Sequence, residues 1–161
     1  MKKKHRKITV RELDFIYWHS AIRDKKKWNL IAHQLIFSPK RKQAHKMVLE
    51  FSPNECEKCF VENPVLDSSK FTLLHQKEGA PENPMPTIYY DTDHLYSAKA
   101  RKNGEDVVVN WGKPKTVSEI IAHLLDNGWN LTAHGTETRS GWDILRQMSY
   151  TDIVPCISWS W

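Results

Sequence analysis

Val117, Ile120, Ile121, Leu124 and Leu125 recur at i, i+3, i+4, i+7 and i+8, so a helix would gather them on one stripe. Thr116 with Glu119 three residues later has capping-box spacing, and Pro114 just ahead costs a helix nothing. Asn127-Gly128 supplies the left-handed residue that ends a helix. The pattern predicts a helix over 116–127 whose stripe lies on a sheet. Beyond it, Trp129, Leu131 and Ala133 alternate with Asn130 and Thr132, which predicts a strand leaving at once.

The first third of the chain reads as strands. Ile8 and Val10 begin in one phase, and Leu13, Phe15 and Tyr17 continue in the other. The slip at Arg11-Glu12 means a bulge or a tight turn, and the bulge is the preferred reading. Phe15, Tyr17 and His19 then oppose Ile16, Trp18 and Ser20 over residues 14–23. Polar connectors separate this strand from residues 28–37 and 46–51, which implies an antiparallel meander.

Between residues 52 and 90 the alternation fails. Five of the eight prolines fall here, and GAPENPMP is loop. A stretch of this length is functional, disordered or an insertion. Residues 71–74 offer a short edge strand. Asn103-Gly104 is a strong hairpin signal that pairs residues 95–101 with 105–111. Residues 134–140 read as a turn-rich linker. Ser140 with Asp143 repeats the capping-box spacing and opens a short helix over about 141–149. Residues 154–161 read as a terminal strand whose two tryptophans dock it.

The fold expectation is therefore a single α+β domain over residues 1–161. An antiparallel β-sheet of five to seven strands starts as a meander and carries one main helix on one face. Residues 1–7 form a basic tail and residues 52–90 a long loop or insertion.

Composition adds three points. Forty per cent hydrophobic residues is ordinary for a globular protein, and seven tryptophans point first to core and sheet-face packing. MKKKHRK looks like the start of a signal peptide, but Arg11, Glu12 and Asp14 interrupt any apolar stretch behind it. No run approaches the ~18 apolar residues of a membrane span. With three cysteines in no repeating spacing, a cytoplasmic protein is expected.

Charge changes the picture most. Residues 1–46 hold 14 Lys and Arg against 3 Asp and Glu, whereas the remainder holds 10 against 16. Such asymmetry is a compositional sign of a polyanionic partner, although a solvated face balanced within the fold produces it too. In the bulge reading, the tail residues Lys2, Lys3, Lys4, Arg6 and Lys7 join Lys40, Arg41, Lys42 and Lys46. In the turn reading the tail meets Lys25, Lys26 and Lys27 instead. Tyr17, Trp18 and Trp28 lie close by in sequence, and aromatic faces can stack on unpaired bases.

Other chemistry is thinner. Cys56 and Cys59 have the C-x-x-C spacing of half a zinc site, and two free thiols in a loop are the plainer reading. Asp91, Asp93 and His94 could converge on a hard divalent cation, but a polar turn explains them as well. His134 stands beside Thr136 and Thr138 as a candidate general base, without the second H-x-[ST] that a two-histidine phosphoesterase needs. His19, His33, His45 and His123 fall within regular elements, as surface or hydrogen-bonded histidines do. No Gly-rich phosphate loop, G-x-S-x-G or H-E-x-x-H occurs.

These readings favour a non-catalytic binding protein whose basic first third engages an anionic partner, nucleic acid above all, with no cofactor. The alternatives are a protein-binding inhibitor or immunity-type factor that uses exposed tryptophans, and a divalent-metal-dependent hydrolase, with zinc the outside prospect.

Overall fold

The structure is a computed structural model that describes residues 5–23, 30–41, 44–52, 88–89, 96–155 and 158–159. In chain order the elements are β1 (Arg6–Val10), β2 (Leu13–Arg23), β3 (Leu30–Pro39), β4 (Lys46–Phe51) and β5 (Ile88–Tyr89). Then follow β6 (Ser97–Lys102), β7 (Glu105–Asn110), α1 (Pro114–Asp126), β8 (Thr136–Ser140), α2 (Gly141–Gln147), β9 (Thr151–Pro155) and β10 (Ser158–Trp159). The protein is α+β and mostly antiparallel, as the alternation predicts. Its strands divide into a five-stranded sheet β1-β2-β3-β4-β8, a three-stranded sheet β7-β6-β9 and the pair β10-β5.

The meander β1 to β4 is antiparallel throughout, and β8 then adds beside β4 in parallel. Arg11-Glu12 is a tight two-residue turn and not a bulge, since Val10 pairs with Leu13 and both turn residues have positive φ, 50° and 65°. Two left-handed residues make the turn whose twist suits a hairpin. Arg11 is then anchored by a forked pair with Asp126 at the end of α1, where Nη2 donates to Oδ2 at 2.6 Å.

Helix α1 begins earlier than the capping box implies. Its N-cap is Lys113, Pro114 is the first helical residue, and no side chain caps the end. Proline already has helical φ and lacks the N–H that would go unpaired, so it nucleates the turn ahead of Thr116. Val117, Ile120, Ile121 and Leu124 are buried, as their spacing requires. Asn127 and Gly128, with φ +85°, close the helix.

The strand expected at Trp129 does not form, because Asn130 makes a turn of its own. Its Oδ1 accepts from the Thr132 amide at 2.9 Å and the Thr132 hydroxyl at 2.6 Å. Instead, β8 occupies residues that read as a linker. Its sequence, TETRS, carries no apolar alternation, and its partner β4 lies far away in the chain. By contrast, Ser140 caps α2, its hydroxyl accepting from the Asp143 amide at 3.4 Å. The Asn103-Gly104 hairpin also forms, pairing Lys102 with Glu105.

One hydrophobic cluster joins the inner face of the large sheet to α1, α2 and the three-stranded sheet. Phe51 stacks on Trp111 with centroids 4.2 Å apart and meets Trp142 edge-on at 5.0 Å. Trp129 packs on Phe15 and Phe37. Trp111, Trp129 and Trp142 are thus core residues and offer no exposed anchor for a partner. Among the described residues, no helix is long and apolar enough to cross a membrane.

Candidate nucleic-acid interface

Residues paired directly across a ladder project from the same face, so the register sorts the basic side chains. Phe15, Tyr17, Leu35, Phe37, Met47, Leu49 and Phe51 belong to the helix-side cluster. Their sequence neighbours therefore point to the opposite, outer face. There Lys7 pairs with Ile16, Ile16 with Ser38, and Lys46 with Thr136. Continuing the Phe37–Met47 register by one step brings Ser38 in line with Lys46. The resulting row Lys7, Ile16, Ser38, Lys46, Thr136 crosses five strands, a length of about 19 Å at ~4.8 Å per strand.

Lys40 and Arg41 follow β3 just beyond Ser38, off the middle of this row. The Lys40 amide donates to the Asp14 carbonyl at 2.8 Å, which fixes the chain there. Ile16, Ser38, Pro39, Lys40, Arg41, Ala44 and Lys46 enclose an open hollow of about 670 Å³. A second hollow of about 410 Å³ lies between Ala44, Lys46, His134, Gly135 and Thr136. Ala44 and Lys46 border both, so the two form one trough across the sheet end. The Lys46 amide donates to the Gly135 carbonyl at 2.9 Å and ties its walls together. Beneath it, the buried His45 stands 3.7 Å from the Glu137 carboxylate through Nε2. Its Nδ1 faces both the Asn130 carbonyl at 2.9 Å and the Trp129 indole nitrogen at 3.2 Å. The side chain between Ala44 and Lys46 is thereby locked to the core.

Lys7, Lys40, Arg41 and Lys46 are exposed. Among the described residues none of them is ion-paired, the pairs there being Arg11–Asp126, His45–Glu137, Arg101–Asp106, Arg139–Glu137 and Arg146–Asp143. Among the described residues, acidic groups on this face are few. Asp14 sits on the same face with its carboxylate accepting from Thr9 at 2.8 Å, and Glu50 further along accepts from Gln34.

The basic set is only partly the one expected. Because Arg11-Glu12 is a turn, β1 runs back along β2, and Arg6 pairs with Tyr17 three residues, roughly 10 Å, from the level of Lys40. Arg6 also faces the helix side, where Nη1 donates to the Gly112 carbonyl at 3.1 Å. Lys7 alone of β1 joins the outer face. Tyr17 cannot be a stacking platform, since it is 1 % exposed in the core. Trp18 is half-buried on the outer face with His5 against it at 4.8 Å. Lys2, Lys3, Lys4, Lys42, the cluster Lys25, Lys26 and Lys27, and Trp28 lie outside the described residues, as do Cys56, Cys59, Asp91, Asp93 and His94.

The far wall at His134, Gly135 and Thr136 has no sequence signal as part of a basic site. Its place follows from the parallel pairing of β8 with β4. Ile16 facing outward was legible from alternation, but Ala44 as the junction of two hollows was not.

A second polar node lies on the helix side, where the two larger sheets meet. His19 stacks on Tyr96 with centroids 4.2 Å apart, and the buried His33 meets the same ring edge-on at 4.9 Å. His19 Nε2 lies 2.9 Å from the Trp111 carbonyl, which identifies it as the protonated nitrogen. Burial pushes the His19 pKa down, the Trp111 carbonyl opposes this, and Arg6 adds to it. Burial likewise raises Tyr96. Among the described residues no group of three or more His, Cys, Asp or Glu side chains could hold a metal ion.

Set against known proteins, the chain matches no protein-family model, no curated protein and no solved structure.

Proposed function

We propose that this is a non-catalytic binding protein that engages nucleic acid through the outer face of its five-stranded sheet. The observation that supports this reading most is the gathering of Lys40, Arg41 and Lys46 around one trough, with Lys7 beside Ile16 on the same face and no ion pairs to these four among the described residues. Cations left unpaired along a groove raise the local potential for a polyanion, and contact with phosphates releases condensed counterions.

Binding should weaken steeply with salt. Four phosphate contacts correspond to a log–log slope of about −3 on a single strand or about −4 on a duplex. Fluorescence anisotropy with labelled oligonucleotides, begun at ~50 mM salt where phosphate contacts dominate, measures the slope. Absence of binding to any nucleic acid at that salt ends the proposal. Lys46→Ala and Lys40→Ala should each make the slope shallower by about 0.7 to 0.9.

A further inference from the structure

We infer that the trough is built for single-stranded nucleic acid, with unpaired bases seated on its floor and the sugar–phosphate chain following its rim. The inference rests on the nucleic-acid reading above and narrows it.

Three observations lead there. First, the trough is concave. Duplex readers insert a convex element, a helix or a β-ribbon, into a groove about 12 Å wide. Here α1 turns its apolar stripe into the core, and the basic surface is a hollow behind the sheet. Second, the floor and the rim differ in chemistry. Ile16 and Ala44 supply half-exposed apolar surface, while Lys40, Arg41 and Lys46 stand exposed around them. A duplex keeps its base faces stacked inside and would touch only the rim. A single strand presents both a charged backbone and free base faces, which matches such a groove. Third, Gly135 in the far wall has φ +97°, and the space where a side chain would stand is open. A ligand can therefore approach the bare backbone beside Lys46. The hollows, about 670 and 410 Å³, are in the size range of small-ligand pockets, ~300–1,000 Å³, and share Ala44 and Lys46 as a common border.

The test uses the full chain with three probes of equal length at low salt: oligothymidine, oligouridine and a DNA duplex. The expected result is that at least one single strand binds about tenfold or more tighter than the duplex, the scale of one base stack. Ala44→Leu fills the junction of the hollows without altering charge. It should lower single-strand affinity about tenfold and leave duplex affinity unchanged. Ile16→Glu, at a half-exposed site, adds a negative charge beside Lys7 and Lys40 and should weaken both ligands. An unchanged thermal midpoint for Ala44→Leu certifies the fold, and the wild-type ratio stands even if a variant fails to fold. Duplex binding as tight as, or tighter than, both single strands overturns the inference and leaves the broader nucleic-acid reading intact. No binding to any of the three probes overturns both.

Discussion

The imidazole of His19 lies nearly flat on the phenol ring of Tyr96, with centroids 4.2 Å apart and 20° between the planes. This contact joins the five-stranded sheet to the start of β6. It is maintained at a cost, because Tyr96 has φ +65°, a conformation that bulky residues rarely adopt. The Tyr96 carbonyl accepts from the Trp111 amide at 2.8 Å, and the Trp111 carbonyl in turn faces His19. The backbone of Trp111 thus holds both partners of the stack.

Stability should depend on pH through His19. Burial lowers its pKa in the folded state, whereas in the unfolded chain it titrates near ~6.5. Below that value the unfolded chain binds more protons, so stability falls as the pH drops and is fully regained above it. Urea unfolding at pH ~7.5 and ~5.5 measures the difference across this window. His19→Phe keeps a ring on Tyr96 and removes the titration, so its stability should change less between the two. An equal change would assign the effect to another group.

The cap of α1 can be tested by two substitutions with opposite expectations. Thr116 lies inside the helix, so Thr116→Ala should change stability by less than about 0.5 kcal/mol, well below the ~1 kcal/mol loss typical of a true N-cap. Lys113 holds the cap position without a side-chain bond, so Lys113→Ser should stabilise by about 0.5–1 kcal/mol. Thermal unfolding of both variants reports the result. A large loss in Thr116→Ala would restore the capping box at Thr116.

Gly141 opens α2 with its Cα against the Phe51 ring, and a methyl group there would overlap that ring. Phe51 cannot slide away, being held between Trp111 and Trp142. Alanine helps a helix by up to about 1 kcal/mol, but overpacking costs about 1–3 kcal/mol. Packing wins. Gly141→Ala should lower the thermal midpoint by several degrees, at about 2–4 °C per kcal/mol for a domain of this size. An unchanged midpoint would show that the aromatic cluster yields.

Arg11 separates charge that is present from charge that is available. Its guanidinium is committed to Asp126, a pairing that raises the arginine pKa and lowers that of the carboxyl. Arg11→Ala should therefore leave nucleic-acid affinity and its salt slope nearly unchanged, while Lys46→Ala weakens both. If Arg11→Ala weakens binding as much as Lys46→Ala does, the contact surface extends to the β1–β2 turn and the trough is not its centre.

The elements that were legible from the sequence are those whose causes are local. The α1 stripe, the Asn103-Gly104 hairpin and the Ser140 cap each depend on residues within a few positions of one another, so spacing alone specifies them. The outward direction of Ile16, Lys7 and Lys46 also follows from alternation against Phe15, Ile8 and Met47. Tertiary structure decided the rest. Arg11-Glu12 became a turn because β1 folds back on β2 with Val10 set against Leu13, and Arg11 then reaches Asp126, 115 residues away. Strand β8 has no apolar rhythm and exists through hydrogen bonds to β4, whose register places Thr136 beside Lys46. That pairing builds the far wall of the trough and gathers some lysines while leaving Arg6 on the other face. A ladder between distant segments is specified by backbone groups common to every residue, and so local sequence carries no mark of it.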